Sequence, residues 1–145
     1  MNSDNENTVT EQQAIDWTTA WREQCPENCR AFLIPGVDLV EVLHEIGVLG
    51  KKAAKKAKKK ANKLDAQVRG YMAIGAEDPN DKPEEKILIV GTEKVDGIYR
   101  DIINGKIDGG ATEATINVGG VESSGIYDFT LPCPRECDPN SPLNS

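Results

Sequence analysis

The chain has 145 residues and a mass of 15.8 kDa, one domain's length, enough for a single core that buries roughly 68% of the unfolded chain's surface. Apolar residues make up 38% and charged residues 28%, no stretch nears the roughly 18–20 apolar residues of a spanning helix, and the start MNSDNENTVT is acidic where a signal peptide is basic and then apolar. A membrane protein, a classically secreted protein, a multidomain enzyme and a wholly disordered chain are therefore disfavoured, and the expected compartment is the cytoplasm, with unconventional export left open.

The net charge of −7 hides a division: eight lysines and no acid lie between Lys51 and Lys63, so the rest of the chain carries −15. Residues 1–9 read as a disordered acidic tail. Thr10 with Gln13 three residues on has the form of a capping box, opening a helix over Glu11 to Gln24 in which Ala14, Trp17 and Trp21 share one face. At that spacing the two indoles belong to a core rather than a ligand-stacking pair. Ala31 to Ile34 is a short strand closed by Pro35-Gly36. Asp38 is the expected cap of a second helix to about Ile46, with Leu39, Leu43 and Ile46, helped by Val42, as its core stripe and Gly47 as its stop.

The stretch 51–64, KKAAKKAKKKANKL, is a low-complexity insertion of good helix formers. Ala53, Ala57, Ala61 and Leu64 form a thin stripe, and the lysines three and four apart repel one another. Residues 68–74 alternate as a strand. Residues 77–85 form an acidic loop, Ile87 to Val90 a central strand, 93–97 a turn and Ile98 to Ile103 the returning strand. A weak strand at 115–118 and a last one at Ile126 to Leu131 complete an α+β fold: a mostly antiparallel sheet of about five short strands, two N-terminal helices packed on one face, and the lysine-rich helical insertion. The domain spans 10–137, followed by a flexible tail at 138–145.

The strings AFLIP at Ala31–Pro35, VRGYMAI at Val68–Ile74, KILIVG at Lys86–Gly91 and YDFTLPCPRECDPNSPL at Tyr127–Leu143, with the stretch Trp17–Arg22, resemble a group of small uncharacterised bacterial proteins. The resemblance omits the lysine run and the glycine-rich loop. It implies a small, soluble, single-domain bacterial protein and carries no activity with it.

Two C-P-x-x-C pentads, Cys25–Cys29 and Cys133–Cys137, precede the first strand and follow the last. If those strands pair antiparallel, the pentads meet. Disulfides, free thiols and a four-thiolate zinc all fit, although zinc knuckles use C-x-x-C and disulfides favour an oxidising compartment. Bridges between residues more than 100 apart would contribute about 4 kcal/mol in the loop-entropy account. A thioredoxin-like site has the wrong spacing.

His44 is the only histidine and has no partner at zincin spacing; no nucleophile elbow, Walker loop or dinucleotide fingerprint occurs. Asp78, Asn80, Asp81, Glu84 and Glu85 offer oxygen ligands without an EF-hand pattern, so a solvated loop is the default over calcium. The expected function is accordingly non-enzymatic. Lys51, Lys52, Lys55, Lys56, Lys58, Lys59, Lys60 and Lys63 would contact an acidic protein surface, including that of another copy in a homo-oligomer. Nucleic-acid binding is the alternative, through phosphates and without sequence specificity; a zinc or thiol-redox role at the pentads is a third. Membrane binding is disfavoured because the run has no large apolar residue before Leu64.

Overall fold

The computed structural model describes residues 7–116, 123–133 and 137–144. The fold is α+β, three helices with a six-stranded, mostly antiparallel sheet. Helix α1 spans Glu11–Gln24 and opens with the expected capping box: the Thr10 hydroxyl accepts from the Gln13 amide while the Gln13 side chain accepts from the Thr10 amide. Its buried residues are Ala14, Trp17 and Trp21. Strand β1 (Ala31–Pro35) runs directly into α2 (Gly36–Glu45), and α3 (Lys51–Leu64) leads into β2 (Gln67–Gly75). Pro35, rather than Asp38, stands at the N-cap of α2, because the Gly36 amide donates to Ala66 O at 2.8 Å and turns the chain out of the sheet at once.

Strand β3 (Glu84–Val95) is longer than the apolar run at its centre. It reaches a tight turn at Asp96-Gly97, both at positive φ (53° and 80°), the backbone that two-residue hairpins require. Strand β4 (Ile98–Ile103) returns as expected, and β5 (Lys106–Ile107) adds a short pair. The last strand, β6, is only Ile126–Tyr127 and lies on β3; residues 128–131, expected in the same strand, leave the sheet. The strand expected at 115–118 extends outside the described residues, and Thr115 and Ile116 are not in a strand. Their amides donate to the Glu93 carboxylate at 2.7 and 2.9 Å.

The sheet order is β1-β2-β3-β4-β5, with β6 beside β4 along the same edge of β3. Register places Tyr71, Ala73, Leu88, Val90 and Ile126 on the face under α1; with Val9, Ala14 and Trp17 they make the core. Val9 corrects the expectation of a disordered stretch over 1–9. Within the part of it that is described, Thr8 pairs with Tyr127, the Val9 amide donates to Ile126 O and the Asp128 amide to Asn7 O, so 7–9 lie beside β6. The tail at 138–145 contains a 3₁₀ turn at Pro142–Asn144, which Asn144 ties back to Asp138 O.

Helix α2 departs from its expected packing. Leu39, Val42, Leu43 and Ile46 are exposed, Ile46 by 68%. The half-buried side is Val37, Val40, Glu41 and His44, and it faces α3, since Glu41 pairs with Lys58. Helix α2 touches the sheet at β1 and packs mainly on α3, whose only extensive contact is α2. The two form an αα-hairpin joined at Gly47–Gly50 and standing off one end of the sheet.

Candidate functional site

Helix α3 is well formed by composition, yet it has no side-chain cap and no acid in its first turn. Its contact stripe is Ala54, buried, with Ala57, Lys58 and Ala61 half-buried. This is rotated by one residue from the stripe expected on Ala53 and Leu64, both of which are exposed. Alanines at this seam let α2 approach closely, and they push the lysines outward. Lys51-Lys52, Lys55-Lys56 and Lys59-Lys60 recur every four residues, with Lys63 beyond, so each turn presents a doublet and successive doublets are about 6 Å apart along a helix of about 21 Å. All seven are exposed. Of the eight lysines of α3, only Lys58 has an ion pair among the described residues, with Glu41, whose carboxyl it holds below the usual range through a hydrogen bond and charge attraction. The lysine stems line a shallow groove of about 330 Å³ with Leu64.

The base of the hairpin is tied to the sheet. Asp65, at the left-handed C-cap of α3, accepts from Lys94 at 2.9 Å and from Tyr99 at 2.8 Å, and these two hydrogen bonds lower its pKa. His44 closes the other end, donating Nδ1–H to Leu49 O at 2.8 Å. It acts in the α2–α3 turn.

Strand pairing does not bring the pentads together. Strand β1 pairs with β2 and β6 with β3, so the two strands expected to bring the pentads together are not neighbours. Cys133 is disulfide-bonded to Cys137 within its own pentad, with Cα atoms 5.0 Å apart. Cys25 and Cys29 are free thiols, and Cys29 Sγ donates to Ala31 O at 3.1 Å. So short a loop contributes about 2 kcal/mol in the loop-entropy account, rather than the 4 expected of a long one. Among the described residues no three His, Cys, Asp or Glu side chains come together to hold a metal. In the acidic loop, Asp78 instead accepts from the Asn80 amide and side chain at 2.9 and 3.1 Å, an ordinary Asx turn.

Two features were not legible beforehand. One is a cleft of about 240 Å³ between α1 and the sheet, apolar apart from Glu11, Thr18, Arg22, Tyr71 and Asp101. At its floor Asp101 accepts from the Arg69 guanidinium and from the Tyr71 hydroxyl, and Arg69 donates on to Tyr99 O. Burial, then the neighbouring Asp101, pushes the Tyr71 phenol up to about 12, so it is a neutral donor at physiological pH. Arg69, Tyr71 and Asp101 satisfy one another, which marks the cluster as a brace between β2 and β4. The other feature is Lys86, which pairs with Asp128 at 2.9 Å and stands 5.3 Å over the Trp17 ring, a cation on an indole face that is worth more where water is excluded. Trp21 donates its Nε1–H to Cys29 O at 3.0 Å. Both tryptophans therefore serve packing.

Among the described residues no helix is long and apolar enough to cross a membrane. No family model, no curated protein and no solved structure matches this chain.

Proposed function

We propose that this protein is a non-enzymatic binding module whose helix α3 grips an acidic protein surface. The supporting observation is the array of seven exposed lysines that make no ion pair among the described residues, on a helix that stands clear of a body of opposite charge. Lysine is a compact, strongly hydrated charge on a flexible stem, suited to many shallow contacts with carboxylates or phosphates and poorly suited to reading bases. The −15 carried by the rest of the chain opposes a nucleic acid at long range, which favours a protein partner over phosphates. The exposed apolar stripe of α2 lies on the side away from α3, so lysines and apolar residues do not face one plane as a membrane-surface helix requires.

The test is binding of a fluorescent poly-glutamate peptide by anisotropy, from about 20 mM to about 500 mM salt, alongside a DNA duplex of equal charge. Tight low-salt binding of poly-glutamate, weakened steeply by salt and lost when the seven lysines are changed to glutamine, is expected. Binding that survives those substitutions would refute the assignment, and a preference for the duplex would replace the protein partner by a phosphate backbone.

A further inference from the structure

Strand β2 leaves the α2–α3 hairpin at Gln67 and runs for nine residues to Gly75, where the acidic loop begins. The hairpin and the acidic β2–β3 end, the 76–83 loop with Glu84 and Glu85 opening β3, thus occupy opposite ends of the sheet, about 25–30 Å apart. The pairing of Lys94 on β3 with Asp65 at the foot of α3 confirms which end carries the hairpin. At physiological salt charges are screened beyond about 8 Å, so α3 and the loop of one molecule cannot neutralise each other. The chain is polar along its sheet, cationic at one end and anionic at the other.

The anionic end is also concave. A groove of about 940 Å³ opens there between the end of α1, the loop and the segment after β6; its walls include Asp81, Glu84 and Glu85, with Lys82 as the one cation among them. Glu77, Asp78, Asp81 and Glu85 are exposed and make no ion pair among the described residues.

From this polarity we infer that the lysine face of α3 docks into the acidic β2–β3 end of a second copy of this chain. The inference rests on the reading of α3 as an acid-gripping helix and names the acid it grips. The contact is heterologous: each copy offers one helix and one groove. Assembly therefore proceeds head to tail and closes as a ring or continues as a filament. Because every contact lies at solvent-exposed charges, it is dynamic and dissolves as salt rises.

Two variants test it. One neutralises the helix (Lys52→Gln, Lys55→Gln, Lys56→Gln, Lys59→Gln, Lys60→Gln, Lys63→Gln); the other neutralises the loop (Glu77→Gln, Asp78→Asn, Asp81→Asn, Glu85→Gln). Mass is followed by sedimentation at about 20 mM and about 1 M salt. The wild-type chain is expected to exceed its monomer mass of 15.8 kDa by at least about twofold at low salt, growing with concentration, and to return to monomer at high salt. Each variant alone is monomeric. Their equimolar mixture forms a one-to-one dimer and nothing larger, since one partner retains only the groove and the other only the helix. That dimer also shows that both variants are folded.

A wild-type chain that stays monomeric at low salt, a loop variant that assembles like the wild type, or a mixture that stays monomeric overturns the head-to-tail contact. The poly-glutamate measurement separates the two levels. Retained peptide binding by a monomeric wild type refutes self-docking and leaves α3 as a grip for a foreign acidic surface, whereas loss of both removes both.

Discussion

Helix α3 carries its charge at a cost to its own stability, and that cost is measurable. Lys51 occupies the first helical position after Gly50, where the helix dipole disfavours a cation, and no acid lies in the first turn. Five lysine pairs sit at i, i+4 (51–55, 52–56, 55–59, 56–60 and 59–63), each destabilising by about 0.2–0.5 kcal/mol. Lys51→Glu reverses two of these penalties. Replacing a repelled cation by an attracted anion at the N-terminus is worth about 1 kcal/mol, and converting the repulsion with Lys55 into a Glu–Lys pair adds about 0.5 kcal/mol. The total of about 1.5 kcal/mol corresponds to a roughly tenfold smaller equilibrium constant for opening of the helix.

Hydrogen–deuterium exchange of the amides of residues 55–64 reads that local opening directly. Protection is expected to rise about tenfold at low salt and by much less near 1 M, where the screening length is about 3 Å. The same substitution is expected to weaken poly-glutamate binding, so stability and grip move in opposite directions. Unchanged or faster exchange at low salt would show that the charges of α3 are already compensated, and the account of an unmet cationic face would fail with it.

Other consequences concern the frame that holds the hairpin. A Cβ on Gly75 would lie 2.4 Å from three atoms of the buried Trp17 ring, so Gly75→Ala should destabilise by about 2–3 kcal/mol in urea unfolding, and Trp17→Leu in the same chain should recover part of that loss; additive effects would place α1 elsewhere. The Glu93 carboxyl is held low chiefly by the Thr115 hydroxyl, with the Ile116 and Thr115 amides adding to it against the opposing effect of burial. A depressed carboxylate stabilises above its unfolded pKa and ceases to do so as pH falls through the folded one, so the 115–116 amides should lose exchange protection below about pH 4.5, and Glu93→Gln should abolish that pH step. Alkylation of the unreduced chain in denaturant should label two thiols, Cys25 and Cys29, and four after reduction; a labelled Cys133 in the unreduced chain would contradict the local disulfide.

Much of the fold was readable residue by residue wherever the cause is local. The capping box at Thr10, the 3.6-residue spacing of Ala14, Trp17 and Trp21, the helical composition of 51–64 and the alternation through β2 all act within a few residues, and each element appears within about two residues of its expected bounds. The charge division is a property of composition and survives into the structure as the exposed face of α3. Periodicity also identified Leu39, Val42, Leu43 and Ile46 as one face of α2. It could not say what would cover that face, because a helix pattern encodes which residues point together and not which element stands opposite. Here α2 turns its other side to α3, where Glu41 meets Lys58 across seventeen residues of sequence. The same limit separates the pentads. Two C-P-x-x-C strings announce sulfur chemistry locally, but their meeting depended on β1 lying beside β6, and strand order is decided by long-range pairing that places β2 and β3 between them. The cation array was thus determined by composition; that, among the described residues, only its Lys58 meets a carboxylate was decided only when the chain set the hairpin at one end of the sheet and the acidic β2–β3 loop at the other, a separation several screening lengths wide.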